Sequence, residues 1–539
     1  MVASHGEVNR VVLVPGFAAL ALIALAVLGA FGGLVAASGT APSLGALADD
    51  LYLRRVLAFT LGQAVLSTVL AVGLAIPVAR ALARRQAFFG RTLLLRLFGL
   101  PLVVPGIVAV LGIVAIAGRN GAVNQTLGAF GLSPVPSVYG LTGILIAHVF
   151  FNLPLAARLL LQTWDTVPSE TWRLSSQLGM RSGAIFRLIE WPLLRAALPG
   201  IAGLVFMLCF ASFTVVLTLG GGPAATTIEV AIYQALRFDF EPGRAVVLAL
   251  VQFALCGGLI AVGHSLIRPM ALASSLGRSA GRPDISGAFG RLGDGLAIQA
   301  AALLVVAPLG AVAVAGATGP LASVLTEPAL WRAAALSLAI GLTAGLLALA
   351  LGAALLGAAR HFRLRLGRDR PAAAIEWSGA AVLVVPPFVL GAGWFVLLHG
   401  RIDVLAIGPV VVVAVNALMA LPYVIRGLGP AIARADERHD RLCRSLGIQG
   451  WRRFRLIDWP ALRRPLALVL ALAAALSVGD LGAIALFGTQ DTATLPLLLY
   501  QRMGSYRIDE AAAIALVLGA LSLGLFAAIE RGIGGREYG

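Results

Sequence analysis

Residues 152–154 read Asn-Leu-Pro, Gly179 follows, and residues 189–192 read Ile-Glu-Trp-Pro. Further along, residues 420–422 read Ala-Leu-Pro, Gly447 follows, and residues 457–460 read Ile-Asp-Trp-Pro. A shift of 268 carries the first set onto the second. The pairs Arg158/Arg426, Arg173/Arg441, Leu178/Leu446, Phe186/Phe454, Arg187/Arg455 and Arg195/Arg463 obey the same shift. Each copy is rich in arginine and lies between long apolar stretches. A polar segment repeated in register inside an apolar chain suggests two equivalent docking points for a partner that comes in pairs.

Composition fixes the class. The chain has 539 residues, 59% of them hydrophobic and 12% charged. Its mean hydropathy is +0.93. A soluble chain is about one quarter charged, so there is too little charge here to cover soluble domains. Apolar runs of roughly 20 residues, the length that spans a bilayer as helix, recur from end to end. They are continuous rather than alternating, which excludes a β-barrel. The fold class is therefore all-α and polytopic, with about 12 transmembrane helices.

The basic excess reflects orientation. All 41 basic residues are arginine, and the formal net charge is +16. The arginines sit in short loops between apolar runs, as inner-side loops require, so nucleic acid is not the expected partner. The missing lysine excludes a P-loop and Schiff-base chemistry. If ATP drives this chain, another subunit binds the ATP. Cys209, Cys256 and Cys443 share no metal-ligand spacing and read as small apolar filler. His148 reads as packing, with no partner at ligand spacing. No nucleophile with a base and no acid cluster appears, so no catalytic residue, resident metal or cofactor is expected.

With the amino terminus inside, 32 of the 41 arginines fall on the inner side. Both termini and both repeated loops are then cytoplasmic. Residues 270–293 form a Gly/Ser/Arg-rich linker between a first half, 1–269, and a second half, 294–539. Six spans per half give the halves one orientation, as a parallel repeat about an axis normal to the membrane. The third, fifth, ninth and eleventh spans are expected at 95–117, 197–219, 376–398 and 466–488.

The loops occupy 165–195 and 429–464. In the first, Ser169 can cap a short helix and Glu170 suits its positive end. Gly179 suits a left-handed helix stop. Ser182 can cap a second short helix, 183–190, and Pro192 suits the first turn of the next span. The second copy has Gly447 at the stop and Pro460 at the restart. The expected apolar edge is Phe186, Ile189 and Trp191, with Phe454, Ile457 and Trp459. One such hairpin could rest on lipid headgroups. Two in register favour a protein partner of matching two-fold symmetry.

Here the sequence resembles a known family. A Gly, a Pro thirteen residues later and an aliphatic residue three before that Pro resemble the cytoplasmic coupling loop of ABC-importer permeases. The resemblance implies a type I importer permease fold. It also implies two copies of a cytoplasmic ATP-binding cassette subunit gripping the loops, and an extracytoplasmic (periplasmic) substrate-binding protein. Gly179, Phe186, Ile189, Pro192, Gly447, Phe454, Ile457 and Pro460 would then couple the chain to the ATPase. The family signature usually opens Glu-Ala-Ala. This chain has Arg173-Leu174-Ser175 and Arg441-Leu442-Cys443 instead, so no contact through that carboxylate is implied. Fused halves mark a subset that includes ferric-iron and thiamine permeases. His148 to Gln162, Leu208 to Leu236, Ser477-Val478-Gly479-Asp480 and Leu495 to Tyr506 resemble the thiamine branch. The implied cargo is thiamine or its phosphate esters, the implied location the bacterial inner membrane.

Within the spans, Asp480 is a candidate pathway residue, because an acid at membrane depth is costly. Ser212 and Thr214 lie in the equivalent span of the first half. Gly220-Gly221-Gly222 reads as a bend on the outer side, and Tyr233-Gln234 with Tyr500-Gln501 as a second paired docking surface. The competing class is a 12-span secondary transporter, which needs intramembrane carboxylates or an ion site. These spans are almost free of acids.

Overall fold

The computed structural model describes residues 10–37, 50–135, 137–266, 282, 284, 287–382 and 385–535. Most of the expected linker 270–293 lies outside the described residues. Among the described residues helix follows helix, with no strand. Eleven helices are long and apolar enough to cross a bilayer, and the apolar Pro387–Leu398 is shorter. Their outer faces carry exposed Leu22, Leu25, Leu303 and Leu346. Scattered outward leucines on long helices are what a lipid solvent permits.

The ninth span, expected at 376–398, is split into Asp369–Ala381 and Pro387–Leu398. The third, expected at 95–117, is split likewise into Arg91–Leu97, a turn at Leu100–Leu102, and Gly106–Ala117. Pro105 and Pro386 stand at the restarts with extended backbone, ψ 137° and 141°. Proline cannot donate to a preceding turn and disfavours helix in the residue before it, so the helix stops here and begins again, although Pro77, Pro154 and Pro422 lie inside unbroken helices. The fifth span breaks between Trp191–Phe210 and Phe213–Leu219, and the eleventh between Trp459–Val478 and Gly482–Phe487.

The two halves interlock. Arg10–Ala37 packs on Pro328–Leu364 and Pro387–Leu398, while Ala288–Thr318 packs on Leu51–Arg84 and Gly106–Ala117. The opening helix of each half thus covers the other half. Close backbone approach makes this possible. A Cβ on Gly33 would stand 2.4 Å from the Gly393 carbonyl oxygen, and one on Gly112 would stand 2.2 Å from that of Pro308. Packing through small residues is the usual means of helix association in lipid.

The halves also differ. Leu141–Asp165 ends just before Pro168 and a separate Ser169–Gln177 helix follows. Its counterpart, Gly408–Ser445, runs through the same point as one 38-residue helix. Asp436 stands there in place of Pro168, so nothing breaks the second helix.

Candidate functional site

Both repeated loops turn on a glycine. Gly179 has φ 59° and Gly447 has φ 64°. Met180 N–H donates to Ser175 O and Gly179 N–H to Ser176 O, at 3.0 and 3.1 Å. Ile448 donates to Cys443 and Gly447 to Arg444 in the same pattern, at 2.9 and 3.4 Å. These are Schellman closures, in which a left-handed residue satisfies the last carbonyls of a helix. A Cβ would meet nothing within 4 Å at either glycine, so the backbone angle, not crowding, demands glycine. Ser169 is the first helical residue rather than the cap, and Pro168 holds the cap position.

The expected second helix, 183–190, is not a separate element. Ser182–Ile185 leads through a π-turn, Phe186–Glu190, directly into Trp191–Phe210. Gly450–Arg453, Phe454–Asp458 and Trp459–Val478 repeat this arrangement. A π-turn is rare, a single wider, under-wound turn within a helix, and is frequent at functional sites. Here it falls on the same residues twice, and each ends in the acid of the Ile-Glu-Trp-Pro or Ile-Asp-Trp-Pro run. Pro192 and Pro460 follow the π-turn directly, each without the N–H that an unbroken helix would bond to the preceding turn.

Those two acids are buried anchors. Glu190 is fully buried. It accepts from Arg80 Nε at 2.7 Å, Arg282 Nη2 at 2.5 Å and Trp164 Nε1 at 3.2 Å. Arg84 bonds Ser182 Oγ, Asp284 and Asp294. In the second loop, Asp458 accepts from Arg360 at 3.1 Å and lies 3.7 Å from Arg453 Nε. Arg360 also pairs with Asp436, and Arg453 with Asp436 and Asp440 at 2.7 and 2.6 Å. Arg80 and Arg360 both come from the last turns of the second long helix of their half. Burial alone raises the Asp284 carboxyl. The hydrogen bond from Arg282, with the charges of Arg282, Arg84 and Arg80, outweighs it and holds the group below its ordinary 3.8. Sequence reading missed these anchors because Arg80, Arg282 and Arg360 lie about a hundred residues from the acids they hold.

The exposed edge keeps Trp191, Phe454 and Trp459 of those expected and differs at the other three. Phe186 and Ile189 are only half-buried to half-open, and the Phe186 ring lies 4.7 Å beneath the Arg80 guanidinium. Ile457 is equally half-covered, while Phe454 is 37% exposed and stacks on Trp451 at 5.1 Å. The open apolar side chains that recur in both loops are Leu174, Leu178, Leu188 and Trp191, with Leu442, Leu446, Leu456 and Trp459; Trp451 is open in the second loop alone. All four pairs keep the 268 shift. Trp191 and Trp459 belong to the expected edge; the leucines beside them obey the same shift and extend it.

Between the halves, the span breaks meet. Asp480 is not inside a helix. It sits at the eleventh-span break, and its carboxylate accepts Gly482 N–H and Ala483 N–H, each at 3.1 Å, capping the short Gly482–Phe487 helix. Ser212 holds the same place at the fifth-span break and makes no side-chain cap bond. Thr214 Cγ2 lies 3.6 Å from where a Cβ on Gly106 would be, and Pro105 Cβ lies 2.9 Å from one on Gly479. The Pro105-Gly106 restart is thus wedged between the two breaks. Phe213, next to Ser212 at the fifth-span break, packs at 4.4 Å on Phe388 and at 5.5 Å on Tyr233. Tyr233 is 5% exposed, so its ring cannot be the docking surface expected of it. The exposed aromatics nearby are Phe238 and Phe240, with Tyr506 in the other half. Phe240 and Tyr506 carry φ of 55° and 59°, unusual for bulky residues. His148 is buried and bonds Ser67 Oγ at 2.8 Å, as packing expects.

Comparison with known proteins places this geometry. Residues 371–533 match the model of the binding-protein-dependent transport system inner membrane component. The thiamine transport system permease protein of Brucella abortus (strain 2308) is 47% identical over 524 residues, 97% of this chain and 96% of that protein. The corresponding protein of Escherichia coli (strain K12) is 45% identical over 521 residues, 96% of each chain. A putative ferric transport system permease protein of Haemophilus influenzae is 31% identical, over 35% of this chain. Likeness at that identity over 96–97% of the chain, together with a doubled loop and an all-α body with eleven membrane-length helices among the described residues, leaves one assignment: the chain belongs to the family of thiamine transport system permeases.

Proposed function

We propose that this chain is the membrane-spanning subunit of an ATP-driven, binding-protein-dependent importer that carries thiamine or its phosphate esters into the cytoplasm. It sits in the bacterial inner membrane with both termini and both loops cytoplasmic. Two copies of an ATP-binding cassette subunit grip loops 165–195 and 429–464, and a periplasmic binding protein delivers the cargo at the other face. ATP is bound by those partners, and the chain itself performs no covalent chemistry.

The observation that carries this reading is the pairing of open apolar positions, Leu174/Leu442, Leu178/Leu446, Leu188/Leu456 and Trp191/Trp459, on loops tied to the bundle by buried acids. Exposed hydrophobic patches rimmed by charge mark protein contacts. A glycine-stopped helix on a π-turn anchored to a span is stiff enough to transmit a push. Gly179, Phe186, Ile189 and Pro192, with Gly447, Phe454, Ile457 and Pro460, shape these loops. Leu178 and its fellows make the contact.

Substrate would cross where the span breaks meet. Ser212, Thr214 and Asp480 lie there, and the Asp480 charge favours a cation such as thiamine. The thiamine reading is preferred to the ferric-iron one because the ferric relative matches only 193 residues, against 524 for the thiamine relative. Vesicles holding this chain, its ATPase subunit and its binding protein should accumulate labelled thiamine only with ATP. Accumulation driven by an ion gradient without ATP would instead make it a secondary transporter, and uptake of iron but not thiamine would reassign the cargo.

A further inference from the structure

The two loops are anchored by the same chemistry, but the second cation of each anchor comes from a different part of the chain. In the second half it is Arg453, on the loop itself. Arg453 is buried and reaches Asp436, Asp440 and Asp458. The 268 shift puts Ile185 at the corresponding place in the first loop, a side chain that cannot pair with an acid. It also puts Pro168 in place of Asp436 and Trp172 in place of Asp440. The first loop has therefore lost both the internal cation and its two extra acids.

Arg282 supplies what is missing. Its side chain is 3% exposed. Its Nη2 lies 2.5 Å from Glu190 Oε1, and its guanidinium stacks 4.5 Å from the Trp172 ring. It holds Asp284 at 3.1 Å, and Asp284 in turn holds Arg84 at 3.0 Å. The guanidinium thus meets Glu190 and Trp172, the counterparts of the Asp458 and Asp440 that Arg453 meets. Trp172 replaces the acid of an ion pair with the face of an aromatic ring, which an arginine also seeks. The matching groove of the second half is open. A cavity of about 360 Å³ lies there, lined by Leu356, Arg360, Asp436, Asp440, Arg441 and Arg444.

We propose that Arg282, in the connection between the halves, is a positioning residue for the first loop alone. The connection is then a working part and not a passive tether. It completes the first anchor, while the second loop is complete within its own half. This rests on the reading of 165–195 as a coupling loop. Removing Arg282 takes one of two cations from a fully buried carboxylate and leaves it Arg80 and the Trp164 N–H, so the hold of Glu190 on the π-turn weakens.

The test uses the assembled transporter, with a photoreactive side chain introduced in place of Leu178 or of Leu446, each with and without Arg282→Ala. The proposal expects Arg282→Ala to lower cross-linking of position 178 to the ATPase subunit by roughly tenfold while position 446 cross-links as before. ATP spent per thiamine moved rises in the same variant, a ratio that mere loss of folded protein does not change. Cross-linking at 178 unaffected by Arg282→Ala overturns the proposal. Equal loss at both positions also overturns it, since the effect is then not confined to one half. Absence of cross-linking at 178 in the unaltered chain would remove the coupling reading itself, a separate result.

Discussion

At the scale of single residues, the account rests on side chains whose jobs follow from backbone angle and charge. Gly179 and Gly447 are needed for a left-handed φ, with open space around both. A β-branched residue there costs about 1–2 kcal/mol. The double variant Gly179→Val/Gly447→Val is expected to insert normally yet lose thiamine uptake, whereas Gly179→Asn keeps most of it; uptake unchanged in the valine pair would remove the coupling role. Glu190 and Asp458 hold their π-turns through buried arginines. Glu190→Gln should cost about 3–5 kcal/mol locally, read as faster amide exchange across 182–192 with the second loop unaffected. Asp480 permits a sharper separation of roles. Asn in its place retains an oxygen to cap Gly482–Phe487 but no charge, so Asp480→Asn should keep the fold and raise the thiamine concentration for half-maximal uptake. An unchanged concentration dependence would leave Asp480 as a cap only. The glycines were legible from sequence because a helix stop has a residue signature. The anchors were not, since nothing near Glu190 in the chain reveals that Arg80 and Arg282 will reach it.

At the scale of elements, prolines announced some breaks and not others. Pro105 and Pro386-Pro387 interrupt the third and ninth spans, though hydropathy alone ran straight through them. The fifth and eleventh spans break at Ala211-Ser212 and Gly479-Asp480-Leu481, where no proline warns of it; Gly479 lies close against Pro105 and Thr214 against Gly106. The loops were read correctly as a helix, a glycine stop and a restart. The restart was read as its own helix because a π-turn leaves no sequence period of its own. The contact edge is the leucine row, and Leu178→Ser with Leu446→Ser should weaken association with the ATPase subunit by about 1–2 kcal/mol per loop, measured by titration in detergent. Labelling of these leucines by lipid probes in the assembled transporter would return the hairpins to the headgroups. The Asp284 carboxyl is held below its ordinary value, so its contribution is complete above about pH 4 and is lost only as pH falls through the lowered value. Cross-linking of position 178 should therefore be level from neutral pH down to about pH 5.

At the scale of the whole molecule, the repeat is real in its loops and uneven in its joints. The number of spans, the class and the doubling of the loop were all legible, because each is written as composition or as a fixed shift. The exchange of opening helices between halves was not, since apolar helices carry no address for the neighbour they will meet. Through that exchange, with Gly33 against Gly393 and Gly112 against Pro308, each half packs on the other, and the proposed coupling expects a push on either loop to reach both. Two grips on one interlocked body imply two motors. The most direct measurement is the subunit ratio of the complex purified through a tag on this chain and weighed intact in detergent. The account predicts two ATP-binding cassette subunits for every copy of this chain, falling to one when either leucine row alone is replaced by serine. A complex that holds a single ATPase subunit with both rows intact, or none, would contradict it.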